Sequence, residues 1–364
     1  MAPHRKEPPD RALPIGVWVD LVTHPEKNVS QYANFEDAKD PQYRFEPAAT
    51  TFSRTNAWWL AEAAFLSYWH DEAEAKEIYA RRTGLTCFPL SEGETQCHLV
   101  VSPDFAILAF RGTQPDEWQD VFDDARFEME SWTNGHVHGG FKEAFQRIAP
   151  KLTEAVKQHA PNRPLWITGH SLGAALATLA ADTLPGTAGV YTFGSPLVGD
   201  QIFAGRFNQR FTDRSYRYID DHDAVTHVPP EPFGLPIGLY THVSASRAID
   251  KDGNISTAPP TLLRFVRDVF GRPVVLFDLM QLLMAGRFPS MPDALADHAP
   301  VLYVTHIWND VLTNVAHGGP RRASLRRDTV ANAGEVVSAR RLERLMNPNN
   351  HETTKARNHE KENL

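Results

Sequence analysis

The sequence predicts an α/β chain, a mainly parallel sheet with helices on both faces, and two observations carry that prediction. Short apolar runs (FAILAF, PLWITG, GVYTFGSP) alternate with stretches of helical periodicity (KEAFQRIAPKLTEAVKQH, LGAALATLAADTL), the pattern of strands joined by crossover helices. The run PLWITG also leads through GHSLG straight into a small-residue helix, a strand-to-helix turn of the kind that presents a reactive side chain.

Taken in order, residues 1–50 are rich in Pro, Asp and Glu and read as an irregular arm. A helix is expected from Thr55, with Thr55 or Asn56 as its cap and Trp58, Leu60, Ala61, Phe65, Leu66 and Trp69 on its apolar face. GLTCFPL, TQCHLVV and FAILAF then read as three strands separated by SEGE and SPD turns. Phe145, Ile148, Leu152 and Val156 recur at helical spacing. GVYTFGSP and SYRYIDD are further strands, the second after an intervening helix. The main domain is expected over 51–318, with an insertion at 252–297 and a basic tail at 319–364 that carries ten Lys/Arg against six Asp/Glu.

A hydrophobic content of 42% with 23% charged residues allows a sizeable core. The net charge of −8 gives nucleic acid no general electrostatic reason to bind. The two cysteines, Cys87 and Cys97, flank LSEGET and face each other across a hairpin, either bridged or as two partly buried thiols. No apolar run of 18 residues occurs, so no transmembrane segment is expected. The opening MAPHRKEPPDRALPIG has no apolar core of signal-peptide type, and a cytoplasmic location follows as the expectation.

Ser171 sits two residues after Gly169 and two before Gly173. A nucleophile on a tight strand-to-helix turn needs both places free of a Cβ, and the following helix N-terminus favours negative charge beside it. Acyl transfer further needs two preorganised N–H donors. Leu172, directly after the serine, supplies one, and Thr113, at the end of FAILAFRGT, supplies the other. A neutral imidazole and a carboxylate to orient it complete the arrangement. In the chain order Ser, Asp, His the carboxylate candidates are Asp223 and its rivals Asp200, Asp220 and Asp221. The histidine candidates are His227, His242, His298, His306, His317 and those of the tail. DDHD lacks the alternation of a calcium loop. No metal or cofactor is expected.

AFRGT, VHGGF, ITGHSLGAALATLAA, TFGSPLVGD and DAVTHVPP, in that order, resemble the fungal-type class 3 lipase family over about Asn56 to Tyr303. The resemblance implies an α/β-hydrolase fold and a serine hydrolase acting on carboxylic esters. It gives Ser171 as nucleophile, Thr113 in the oxyanion hole and Asp223 as the acid in D-x-V-x-x-x-P-P. The base is His298, in a D-H-x-x-x-x-Y pattern that ends at Tyr303. His242 resembles a structural histidine of the family. The resemblance also implies a lipid ester substrate, with transient contact at a lipid interface. Triacylglycerol lipase, short-chain carboxylesterase and phospholipase activities all fit it; a catalytically silent lipid- or partner-binding relative is the competing class. A lid in the family corresponds to 114–136 here, an acidic segment longer by two or three residues than the family's W-x-x-D form, for which a solvated loop is the alternative. PVVLFDLMQLLMAGRF, within the insertion, is a second candidate for acyl-chain contact, against a plain core helix. The oligomeric state is not legible.

Overall fold

Eight strands form one sheet in the order β1-β2-β3-β6-β7-β8-β9-β10. These are β1 (Thr86–Glu92), β2 (Thr95–Val101), β3 (Ala106–Phe110), β6 (Leu165–His170), β7 (Thr187–Phe193), β8 (Ser215–Asp220), β9 (Ala245–Ile249) and β10 (Ile255–Ser256). The central run from β3 through β6, β7 and β8 to β9 is parallel, while β1-β2-β3 and β9-β10 pair antiparallel through local hairpins. Two short strands, β4 (Met129–Ser131) and β5 (His136–His138), form a separate ribbon. A computed structural model describes residues 3–9, 21, 32–112, 129–220, 223–227, 240–257 and 296–315. All of them fall in the unit Met1–His317, which is distinct from Gly318–Leu364. The expected basic tail and most of the insertion, PVVLFDLMQLLMAGRF included, lie outside the described residues, as do 114–128 of the expected lid.

The sheet is covered on both faces, which is why its central strands are apolar on both sides. Successive side chains of a strand point to opposite faces. Ile107 and Ala109 of β3 and Trp166 of β6 therefore join one cluster, with α1 (Arg54–Leu66) and α6 (Pro300–Val315). Leu108 and Phe110 with Leu165 and Ile167 join the other, with α3 (Gly139–His159), α4 (Leu172–Thr183) and α5 (Gln201–Arg210). The helix α2 (Glu72–Thr83) is capped by Asp71 and closes on Gly84 in the left-handed region before β1.

Two expectations change in detail, and of the two cysteine alternatives the free thiols hold. The cap of α1 is Ser53, whose hydroxyl accepts from the Asn56 N–H at 3.1 Å, and the helix is buried on every side rather than along one face. Residues 32–50 are irregular, yet Phe35, Tyr43 and Phe45 are core residues packed on Trp58, Trp59 and Trp166. Cys87 and Cys97 are both free: the hairpin register sets Cys87 opposite Val100 and Cys97 opposite Leu90. Burial pushes the Cys87 thiol up to about 12 and the Cys97 thiol up as well, so both stay protonated and inert.

Candidate active site

Ser171 terminates β6 and caps α4, with φ 58° and ψ −131°. A non-glycine residue rarely holds such a backbone, and the cost is of the order of 1–3 kcal/mol. Close packing on both sides holds it in place. A Cβ on Gly169 would come within 2.8 Å of Ala174 N and run into the Gly173 carbonyl, while one on Gly173 would come within 2.7 Å of the Arg111 backbone. The Ser171 N–H donates to Phe193 O at 3.0 Å, tying the turn to the end of β7. Ser171 itself is 1% exposed.

Asp223 follows β8 at the start of a 3-10 turn, Ala224–His227. His298 lies two residues before α6. Both side chains are fully buried and in contact: His298 Nδ1 donates to Asp223 Oδ2 at 2.8 Å and lies 3.0 Å from Oδ1. The Val225 N–H also donates to Asp223 Oδ1 at 2.9 Å, and the Tyr303 hydroxyl donates to Oδ2 at 2.6 Å. Tyr303 in turn accepts from the Asp220 N–H at 2.9 Å. Burial, reinforced by the adjacent Asp223 charge, pushes the Tyr303 phenol well above its ordinary value, so it remains a donor. Every Asp223 contact fixes the carboxylate, and the carboxylate fixes the ring so that Nε2 is the basic atom.

Two links bring this pair to Ser171. Gly194, directly after the Phe193 that accepts from Ser171, has φ +56°, and a Cβ there would lie 2.8 Å from Asp223 Oδ2 and 2.9 Å from His298 Cε1. His170, directly before Ser171, reaches His298 O through Nε2 at 2.8 Å, and the two imidazole centroids are 4.5 Å apart. Gly112 touches the elbow from the third side, its Cβ position being 3.0 Å from Ser171 Cβ. That brings the end of β3 beside Ser171. Thr113, the next residue, lies outside the described residues, whereas Leu172 opens α4 beside Ser171.

Among the described rivals, Asp200 and His306 are engaged elsewhere. Asp200 caps α5 through the Phe203 N–H at 2.8 Å and pairs with the exposed His136. His138 is buried against Phe141, with ring centroids 4.3 Å apart, and burial lowers it to about 4. His306 packs against Gly253. Asp221 and the side chain of His227 lie outside the described residues. Sequence reasoning missed Tyr68 and Gly194 and gave His170 no role. Among the described residues no group of three or more His, Cys, Asp or Glu has metal-binding geometry.

Residues 107–233 match the family model for Lipase (class 3). Over 133 residues the chain is 37% identical to secreted mono- and diacylglycerol lipase 1 of Fusarium solani, covering 33% of this chain and 38% of that one. It is 31% identical to secreted mono- and diacylglycerol lipase MDL3 of Malassezia globosa, over 40% of this chain and 46% of the other. The chain thus spans less than half the length of these relatives. The crystal structure of a mono- and diacylglycerol lipase from Aspergillus oryzae shares the fold, with TM-score 0.52 and 19% identity over 71% of this chain and 98% of that one. Relatives named as secreted overturn the expectation of a cytoplasmic location, since their names point outside the cell. Among the described residues no helix is long and apolar enough to cross a membrane. Over 107–233 the chain is thus similar to the class 3 lipases, as it is to these fungal relatives.

Proposed function

We propose that the chain is a serine hydrolase of acylglycerol esters, with Ser171 as nucleophile, His298 as general base and acid, and Asp223 as the carboxylate that orients it. The observation that carries the proposal is the buried Asp223–His298 pair joined to the strained turn of Ser171. His298 Nε2 takes the hydroxyl proton as Ser171 Oγ attacks the ester carbonyl. The tetrahedral oxyanion is received by the Leu172 N–H and by Thr113. Collapse breaks the ester C–O bond, and the departing glyceride oxygen takes the proton from His298. Water, activated by the same imidazole, then releases the fatty acid and frees Ser171. No cofactor enters this sequence. The names of the relatives favour mono- and diacylglycerols as substrates over triacylglycerol. Contact with a lipid interface belongs to the same proposal.

A fluorophosphonate probe tests the nucleophile. The chain is expected to label once, at Ser171, and Ser171→Ala should lose both labelling and at least about 10³-fold in turnover. A chain that stays unlabelled, or an alanine variant with the parent's rate, sinks the assignment. Mono-, di- and triacylglycerols, a phospholipid and short p-nitrophenyl esters, compared above and below the micelle threshold, separate lipase from esterase and phospholipase.

A further inference from the structure

The residues around Ser171 contain a second polar chain that the reaction sequence does not use. Tyr68, in the turn after α1, is fully buried and lies 2.7 Å from His170 Nδ1. Gly112 packs on the same phenol oxygen, which a Cβ there would run into. On the other side of the ring, His170 Nε2 meets the carbonyl oxygen of His298 at 2.8 Å. A carbonyl only accepts, so Nε2 carries the hydrogen. Burial, reinforced by the neighbouring His298, holds His170 neutral. Its Nδ1 is then a lone pair, which takes the Tyr68 hydroxyl as donor. Two bonds therefore point one way, Tyr68 O–H to His170 and His170 N–H to the His298 carbonyl, and Gly112 is packed against the phenol oxygen at their start. Bonds aligned in series polarise one another.

We propose that Tyr68 and His170 are positioning residues that tie the backbone of the oxyanion loop, at Gly112, to the backbone of the base, at His298. The proposal rests on the hydrolase reading above. The nucleophile stands between these two loops, and small displacements of a catalytic group cost rate steeply. The chain fixes their separation across the elbow without touching substrate.

The experiment is a double-mutant cycle on a soluble short-chain ester, using the full chain. Tyr68→Phe removes one hydroxyl and keeps the ring. His170→Gln keeps a donor where Nε2 stands, and His170→Leu removes both polar atoms. Tyr68→Phe should lower kcat about tenfold with KM unchanged, and His170→Leu should lower it further. His170→Gln should recover part of that loss, and the Tyr68→Phe/His170→Gln double variant should lose no more than the worse single. Fluorophosphonate labelling at saturation, with a thermal melt of each variant, gives the folded fraction to which kcat is normalised. Wild-type kcat in Tyr68→Phe overturns the proposal. So do losses that multiply in the double variant, or losses seen in KM alone. A parent chain that labels at Ser171 while the cycle fails leaves the hydrolase reading standing; a parent chain that never labels removes that reading itself.

Discussion

Ser171 was legible in the sequence because the turn that holds it is local. The two glycines that must lack a Cβ stand within two residues of it, and the strand and helix on either side are contiguous. Tyr68 and Gly194 were not legible. Tyr68 meets His170 across 102 residues, and a tyrosine at the end of a helix gives no local hint of the imidazole it will serve. Gly194 reads as an ordinary strand end, yet its left-handed φ and the atoms facing it make it the floor under Asp223 and His298. Gly194→Ala therefore puts a methyl against Asp223 and His298 and adds roughly 1–2 kcal/mol of backbone strain. The expected result is a kcat lower by about 10²-fold with a modest fall in urea midpoint. A variant with normal kcat would show that the Asp223–His298 geometry tolerates displacement and that the close packing is incidental.

At the scale of elements, helical spacing located α3, which buries one face, whereas the central strands and α4 are buried on all sides and were read from short apolar runs and from the small-residue run after Ser171. Helix α1 broke the pattern for a physical reason. It lies between the sheet, α6 and residues 32–50, so the face that would carry polar residues in a surface helix is buried too. Glu62 sits on that face and is fully buried. Tyr32 OH and Trp58 Nε1 donate to its Oε1 at 2.7 and 3.0 Å, and Asn34 Nδ2 donates to its Oε2 at 3.1 Å. The carboxylate thus fastens the irregular N-terminal stretch, through Tyr32 and Asn34, onto α1. Lys6 lies nearby, with its ammonium 3.8 Å from the Tyr32 ring centroid. Glu62→Ala leaves two buried donors, on Asn34 and Trp58, and the half-buried Tyr32 hydroxyl without an acceptor, and unpaired buried groups cost about 1–3 kcal/mol each. We expect a loss of at least about 3 kcal/mol in urea unfolding, with residues 32–50 becoming the first site of limited proteolysis. A loss under about 1 kcal/mol would mean that the stretch is held by its aromatic contacts alone.

For the whole molecule, the class of fold followed from alternation, while location did not, since it is not a property of a packed core. Stability against acid is such a property, and it rests on histidines that composition counts but cannot place. Burial lowers His98 to about 4, helped by Lys76 and Arg111, and lowers His138 to about 4. His170 is lowered as well, by burial and then by His298. In the unfolded chain each titrates near 6.5. Between about 4 and 6.5 the unfolded state therefore binds more protons than the folded state, and stability falls as pH falls through that window. Each ring held at about 4 should remove about 2 kcal/mol between pH 7 and pH 5, a large share of the margin of a typical domain. The clearest test is His98, whose ring packs edge-on against Tyr79 and whose buried Nδ1 has no hydrogen-bond partner among the described residues. His98→Leu replaces an ionisable ring by an apolar side chain and should flatten the curve, leaving the variant more stable than the parent at pH 5 by more than at pH 7. Urea midpoints at the two pH values decide it. Parallel curves for parent and variant would mean that His98 takes up its proton as readily in the fold as in the unfolded chain, and the acid sensitivity would then have to come from His138 and His170.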